Sequence, residues 1–199
     1  TQAETIAAYR AVRDDLDRLT LALYCCELVD RFTVDRAVQP RLYDLLLELL
    51  EGLDADAPLT AARYFELQIL ALTGYELQVG GCAICGARLP ETEALFSASA
   101  GGLVCDGCRG RAETGRIVGV RTIKVLRFAR NATLGQFAGL RLDSDVEGEL
   151  QRALGDAIRT VLDRETNSGR YVDALAAPLH HASRGAAEDV QSSGERPQT

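Results

Sequence analysis

The sequence contains no methionine and no tryptophan, and its only two histidines are adjacent. An intact open reading frame begins with methionine, whereas this chain begins with Thr1, so we expect an N-terminal segment to be missing from it. His180 and His181 have no acid or cysteine placed beside them. We therefore expect both histidines to lie on the surface, without a metal-binding or catalytic role.

Long apolar runs are also absent. No stretch of eighteen apolar residues occurs, so the sequence predicts no transmembrane helix. The chain does not open with a basic and then apolar segment of the signal-peptide kind. Because nothing in the chain indicates an oxidising compartment, we expect a cytoplasmic protein.

Sequence motifs of common enzymes are missing as well. There is no phosphate-binding glycine loop of the Walker or dinucleotide type. There is no GxSxG motif, and a catalytic triad would lack a plausible histidine. These absences favour a protein that is not an enzyme.

What is present is the composition of an ordinary globular protein. The 199 residues are 47% hydrophobic, which allows a proper core, and 26% charged. The net charge of −7 does not favour nucleic-acid binding by the chain as a whole.

Four cysteines form the most specific pattern in the sequence. Cys82 and Cys85 make one CxxC pair, nineteen residues follow, and Cys105 and Cys108 make a second. Each pair can bind one ion from a tight turn, and two pairs complete the tetrahedral shell of a structural zinc. We therefore predict one structural Zn²⁺ per chain. Two disulfides or a redox CxxC are the competing interpretations, but no thioredoxin-like pattern is present.

A short β-hairpin is predicted between the two cysteine pairs. Short, mainly apolar runs at 95–97 and 103–104 are separated by a run of small residues and glycines. The hairpin would join the two metal-binding turns. We place this zinc-binding module at residues 80–115.

The remaining chain is predicted to be mainly α-helical, a bundle-like domain into which the module is inserted. Its first part, residues 1–79, reads as three helices: one over 1–35, one from Pro40 that ends near Gly52, and one from Pro58 to Gly74. The apolar stripe expected to face the core on the first helix is Leu16, Leu19, Leu23, Cys26, Leu28 and Phe32. Cys25 and Cys26 are expected to be small buried hydrophobes.

The second part of the helical domain is predicted at residues 116–179. Residues 131–142 read as a loop, and Asp143 or Ser144 is expected to cap a helix that ends near Gly169. The apolar side of this helix is Val146, Leu150, Leu154, Ile158, Val161 and Leu162. Tyr171, Val172 and Leu175 are expected to pack on the body, and residues 180–199 to form a disordered tail.

Charge is unevenly distributed along the chain. Residues 109–130 hold seven basic residues and one acid, whereas residues 1–60 hold six arginines and twelve acids. Arg121, Lys124, Arg127 and Arg130 follow at three-residue steps on a predicted helix, which makes a spiral stripe. Such a stripe can neutralise phosphates, so these four residues are candidate DNA contacts. A solvated face paired with the acidic helices explains the pattern equally well.

The order of several elements resembles one known family. The elements are ELVDRFT at 27–33, LYDLLL at 42–47, FELQIL at 65–70, the two CxxC pairs, and LRF at 126–128. In this order they resemble the C-terminal part of the bacterial recombination-mediator RecO family. The resemblance covers roughly residues 10–176.

The resemblance implies a function and partners. RecO-like proteins carry an N-terminal OB-fold followed by a helical domain with an inserted zinc module, and we expect the OB-fold to be missing from this sequence. They bind single- and double-stranded DNA, anneal complementary strands, and act with RecR and the single-strand-binding protein to help load RecA during DNA repair and homologous recombination. The family's metal ligands correspond to Cys82, Cys85, Cys105 and Cys108. A nucleoid-associated cytoplasmic location is implied.

Rival functions belong to other classes. A zinc-stabilised protein-interaction module without its own DNA binding would use the basic stripe for internal pairing or for an acidic peptide. A zinc-ribbon transcription factor would need a base-reading recognition helix, and no such helix is evident. A metal-dependent enzyme would need an open ligand position, which four cysteines do not leave.

Overall fold

The computed structural model describes residues 8–33, 39–55 and 57–162. The predicted helix end near Gly169, the packing of Tyr171, Val172 and Leu175, the two histidines and the tail at 180–199 lie outside the described residues. Within the part that is described, the chain is mainly helical with one small antiparallel sheet, as predicted.

Two helices replace the single helix predicted over residues 1–35. Helix α1 is Arg10–Asp14 and helix α2 is Leu16–Phe32. Asp15 separates them because its backbone is extended and its carboxylate accepts hydrogen bonds from the backbone N–H groups of Asp17 and Arg18, both at 3.0 Å. An aspartate in this conformation is a strong N-cap, and capping starts a new helix at this point.

The predicted core face of α2 is only partly confirmed: Leu28 is buried and Phe32 packs, partly buried, against the core. The buried residues of this helix are Leu21, Ala22, Tyr24, Cys25 and Leu28. By contrast, Leu16 is 65% exposed, Leu23 is 57% exposed, and Cys26 is also exposed. The helix carries apolar residues on nearly every side, so their spacing does not define a unique buried face.

The next two helices match their predictions closely. Helix α3, Pro40–Asp54, begins at the predicted proline and buries Leu42, Leu45, Leu49 and Leu53. Helix α4, Ala61–Leu72, begins one turn after Pro58, whose carbonyl accepts the Ala61 N–H at 2.9 Å. Gly74, with a φ of 90°, ends this segment as predicted.

Helix α4 is the central helix of the body. Its first seven residues, 61–67, are all buried, among them the charged pair Arg63 and Glu66, which are 4% and 1% exposed. The Glu66 carboxylate lies 3.1 Å from the Arg63 guanidinium and accepts a 2.7 Å hydrogen bond from the Tyr24 hydroxyl of α2. Burial, followed by the charge of Glu66, raises the pKa of Tyr24 well above its usual value. The buried acid therefore links α4 to α2.

The sheet holds three strands, of which the sequence predicted two. Strands β1, Ala94–Ser97, and β2, Gly102–Val104, form the predicted antiparallel hairpin, with Phe96 opposite Leu103. Strand β3, Arg116–Val118, pairs with the other edge of β1 and was not predicted. Three residues bounded by glycines are too few for an alternating pattern to indicate a strand.

Three further helices complete the described chain. Helix α5 is Val120–Ala129, α6 is Leu134–Ala138 and α7 is Ser144–Leu162. The prediction that residues 131–142 form a loop is wrong in part, because they contain α6. The N-terminus of α6 is fixed by a capping box between Thr133 and Gln136. The predicted cap on α7 is confirmed, because Asp143 accepts a hydrogen bond from the Val146 N–H at 3.0 Å.

Helix α5 is anchored at its N-terminus by an acid from α7. The Glu149 carboxylate accepts hydrogen bonds from the Gly119 backbone N–H, at 2.8 Å, and from the Thr122 hydroxyl. Thr122 is buried, so this contact lies inside the packing between the two helices.

One continuous cluster of buried apolar residues joins the helices to the sheet. It includes Leu70 of α4, Phe96 and Leu103 of the hairpin, and Leu154 of α7. The domain boundaries expected at 79/80 and 115/116 stay predictions. Among the described residues, no helix is long and apolar enough to cross a membrane.

Replacing Glu66 by alanine tests the importance of the buried charge pair. We expect Glu66→Ala to lower the free energy of unfolding by about 3–5 kcal/mol, because Arg63 would keep its buried charge without this carboxylate. The exposed Asp44→Ala on α3 is the control and should change stability by less than about 0.5 kcal/mol. Urea unfolding curves give both values, and equal losses in the two variants would contradict this role of Glu66.

Candidate functional site

The first cysteine pair lies in a tight turn after α4. The Cys82 N–H donates to the Ala87 carbonyl, and the Gly86 N–H donates to the Cys82 carbonyl, both at 2.8 Å. Gly86 has a φ of 74°, a conformation that glycine adopts without strain. The turn therefore directs Cys82 and Cys85 toward one point.

The second pair follows strand β2 directly. Cys105 precedes a 3₁₀ helix, Asp106–Arg111, and the Cys108 N–H donates to the Cys105 carbonyl at 3.0 Å. The Ala83 N–H donates to the Leu103 carbonyl at 2.7 Å, which joins the first turn to β2. The predicted hairpin thus brings the two cysteine pairs together.

A close backbone approach supports this arrangement. Gln78 forms a parallel bridge with Gly102: its N–H donates to the Gly101 carbonyl and its carbonyl accepts from the Leu103 N–H, both at 2.9 Å. A Cβ atom at Gly102 would lie 2.2 Å from the Gln78 carbonyl oxygen. Only glycine allows this contact.

The four sulfur atoms have the geometry of a metal site. The Sγ atoms of Cys82, Cys85, Cys105 and Cys108 all lie within 4.8 Å of one another, and those of Cys85 and Cys105 are 3.8 Å apart. A tetrahedral zinc with Zn–S bonds of about 2.3 Å has S···S edges of about 3.8 Å. The group can therefore hold one metal ion, and four thiolates would leave that ion no open position.

The electrostatics of the cluster favour a cation. Burial opposes ionisation of Cys82, but the backbone N–H groups of Cys105, Cys85 and Ile84 donate to its sulfur and lower its pKa to about 6. The Cys105 N–H lies 3.4 Å from that sulfur. Hydrogen bonding with Cys85, followed by burial, raises the pKa of Cys108 to about 12. A divalent cation would offset the mutual repulsion of four thiolates at this distance.

Among the described residues, no second cluster of three or more potential metal ligands is found. The two histidines lie outside those residues. An open polar hollow beside the second pair is lined by Thr92, Glu93, Asp106 and Arg109, and it contains no further cysteine.

The four candidate DNA contacts do not share one face. Arg121 and Lys124 are exposed on the outer side of α5. Arg127 is half-buried, and its Nε donates to the Val79 carbonyl at 2.8 Å. The Arg130 Nε donates to the Glu76 carboxylate at 2.9 Å, on the side toward the end of α4. The structure therefore separates the stripe into an outer pair, Arg121 and Lys124, and two arginines whose side chains contact the segment at 76–79, of which Arg130 is itself exposed.

Acids oppose three of these four basic side chains. Arg121 pairs with Asp143, Lys124 lies 4.0 Å from Glu91, and Arg130 pairs with Glu76. Internal pairing was one expectation, but the partners belong to the segments around the module and α7 and not to the acidic first helices. Their positions could not be read from local charge, because each partner is at least 22 residues distant in sequence.

Sequence reasoning missed one feature of α5. Phe128 is 42% exposed, although its neighbours Leu126 and Ala129 are buried. It lies four residues after Lys124 and seven after Arg121, so the three side chains occupy one side of the helix. That spacing is the signal that could have identified it.

Comparison with known proteins gives a consistent result. The family described as "Recombination protein O C terminal" matches residues 13–170. A protein named "DNA repair protein RecO" from Dehalococcoides mccartyi is 34% identical over 176 residues, which cover 88% of this chain and 69% of the relative. A protein of the same name from Desulforudis audaxviator is 36% identical over 167 residues, 84% of this chain and 67% of the relative. No solved structure matches significantly.

The family match spans both the helical body and the cysteine cluster, and the resemblance noted in the sequence is confirmed. The chain belongs to the RecO family of DNA repair proteins.

Proposed function

We propose that this chain is part of a recombination mediator that binds DNA and, together with RecR, helps load RecA on single-stranded DNA. The observation that carries the proposal is the family match over residues 13–170. The single-strand-binding protein would be a further partner, and double-stranded DNA a second ligand. The mediator would make and break no covalent bonds, and it would act in the cytoplasm at the nucleoid.

The outer pair on α5 supplies the phosphate contacts in this proposal. The Arg121 and Lys124 side chains are 70% and 63% exposed, and so are open to a strand. Ion pairs at such exposed positions are worth about 0–1 kcal/mol, so a DNA phosphate can replace Asp143 or Glu91 as the partner. Arg127 and Arg130 would contribute mainly through their positive field, since their side chains are engaged with the segment at 76–79.

The metal is proposed to be a structural Zn²⁺, one per chain, held by Cys82, Cys85, Cys105 and Cys108. Zinc suits an all-thiolate tetrahedral site and supplies no redox chemistry of its own. Its role would be to hold the two turns and the hairpin together, with an apparent binding energy on the order of 10 kcal/mol.

Substituting one ligand tests the zinc proposal. We expect Cys82→Ser to lose zinc and to expose residues 80–115 to protease, because three thiolates cannot close the tetrahedral shell. Zinc content by atomic absorption and cleavage sites by mass spectrometry report the two effects. The exposed Cys26→Ser is the matched control and should retain one zinc per chain. Full zinc content and unchanged protection in Cys82→Ser would count against the proposal.

Removing the outer basic pair tests the DNA proposal. We expect Arg121→Ala and Lys124→Ala each to reduce the salt dependence of single-strand binding by about 0.7 in log–log slope, as for one lost phosphate contact. Fluorescence anisotropy between about 50 and 200 mM salt measures this slope. Arg41→Ala, at an exposed position of α3, is the control. Identical slopes in the wild type, the two test variants and the control would show that Arg121 and Lys124 do not contact DNA phosphates.

Neutralising Glu91, the acid opposite Lys124, should strengthen single-strand binding. Glu91→Gln releases Lys124 from its exposed partner, and we expect single-strand affinity to rise by up to about five-fold. The same titration measures the change. A fall in affinity would show that Glu91 positions Lys124 for DNA and does not compete with it.

The alternative function is a zinc-stabilised protein-interaction module without its own DNA binding. The observation that favours it is that Arg121, Lys124 and Arg130 each face an acidic side chain, and these acids reduce the positive field of α5. In that case the wild-type chain would not bind the labelled strand, and Lys124→Ala would weaken only the binding of an acidic peptide.

A further inference from the structure

An aromatic side chain is exposed between the basic residues of α5. Phe128 is 42% exposed, so it gains only part of the roughly 1.5–3 kcal/mol that full burial of such a side chain contributes to stability. Other apolar side chains of the same helix, Ile123 and Leu126, are buried. Singly exposed apolar side chains are common on protein surfaces, and what distinguishes Phe128 is the pair of exposed cations on the same helix.

The helical geometry places Phe128 next to the outer basic pair. At about 1.5 Å per residue, its Cα lies about 6 Å along the axis from Lys124 and about 10 Å from Arg121. Positions four and seven residues apart differ by only about 40° and 20° around the helix. Side chains of a helix lean toward its N-terminus, so the aromatic ring leans back toward Lys124.

We propose that Phe128 is a stacking platform for one base of single-stranded DNA, while Lys124 and Arg121 bind the flanking phosphates. Single-strand binding surfaces combine positive charge that follows the backbone with aromatic rings on which bases stack. Phe128 supplies the ring, and the two exposed cations on the same side supply the charge. This proposal rests on the DNA binding proposed above and adds a residue that distinguishes single strands from duplexes.

A nucleobase fits this face better than an apolar protein surface does. The other exposed residues of α5 are Arg121 and Lys124, and both are charged. An apolar protein-docking site is typically marked by a contiguous exposed patch of several hundred Å². The Phe128 ring can instead stack on a flat nucleobase, while the neighbouring Arg121 and Lys124 bind the phosphates joined to it.

The two parts of the proposed surface can be separated by the choice of DNA probe. A labelled oligothymidine and an abasic strand of the same length carry the same phosphates, but only the first can stack. We expect Phe128→Leu to weaken oligothymidine binding by about five-fold or more, to leave abasic binding unchanged, and to leave the salt slope unchanged. Lys124→Ala should weaken binding to both strands.

Control variants address folding and general hydrophobicity. Leucine keeps an apolar side chain, so a loss in Phe128→Leu reports the ring itself, and Phe128→Tyr should restore oligothymidine binding. Tyr43→Leu on α3 removes another exposed aromatic and should have no effect. Thermal unfolding of each variant should match the wild type.

The outcomes distinguish the two proposals. Equal oligothymidine affinity in Phe128→Leu and wild type, with Lys124→Ala still impaired, would overturn stacking and leave the phosphate contacts standing. No binding of either strand by the wild-type chain would overturn both. The expected result is that Phe128→Leu loses affinity for oligothymidine but not for the abasic strand, and this result would support both proposals.

A fluorescent reporter provides a second measurement. The chain contains no tryptophan, so Phe128→Trp introduces a single one. We expect oligothymidine to quench its fluorescence and the abasic strand to leave it unchanged. Unchanged fluorescence in a complex saturated with oligothymidine would contradict stacking at this position.

Discussion

The short segment 77–79 holds the rest of the structure in place. Leu77 and Val79 are buried in the common core, while the backbone of Gln78 hydrogen-bonds to strand β2. The Val79 carbonyl accepts a hydrogen bond from Arg127, so α5 is attached to the same segment. Three residues thus connect the helical body, the cysteine cluster and the basic helix. Because only Gly80 and Gly81 separate the segment from Cys82, its position also sets that of the first cysteine turn.

Features encoded by local chemistry could be predicted from the sequence. The cysteine cluster can be predicted because a tetrahedral metal site requires this residue type at this spacing, and the hairpin because two apolar runs flank a pair of glycines. Pro40 and Gly74 mark helix ends through backbone constraints that act on single residues. In each case a few neighbouring residues contain the whole signal.

Features that depend on tertiary packing could not be predicted in the same way. The buried face of α2 is chosen by its neighbours α3 and α4, since Leu16 and Leu23 are as apolar as Leu21 and Leu28. Strand β3 exists because β1 has a free edge to pair with, and its own three residues hold no pattern. The acids opposite the basic stripe come from distant segments. A local excess of positive charge therefore overstated the field that α5 presents to solvent.

The acid that fixes the start of α5 also determines how this helix can meet an anion. A helix N-terminus commonly binds phosphate through its free N–H groups and the positive end of its dipole. Here the Glu149 carboxylate accepts the Gly119 N–H and brings its own negative charge to that end. The carboxylate disfavours a phosphate at this end of α5, so in the proposed DNA complex a strand would approach the helix from its side. Contacts along the side of a helix are spaced by helical turns, so the proposed strand would run lengthwise over α5.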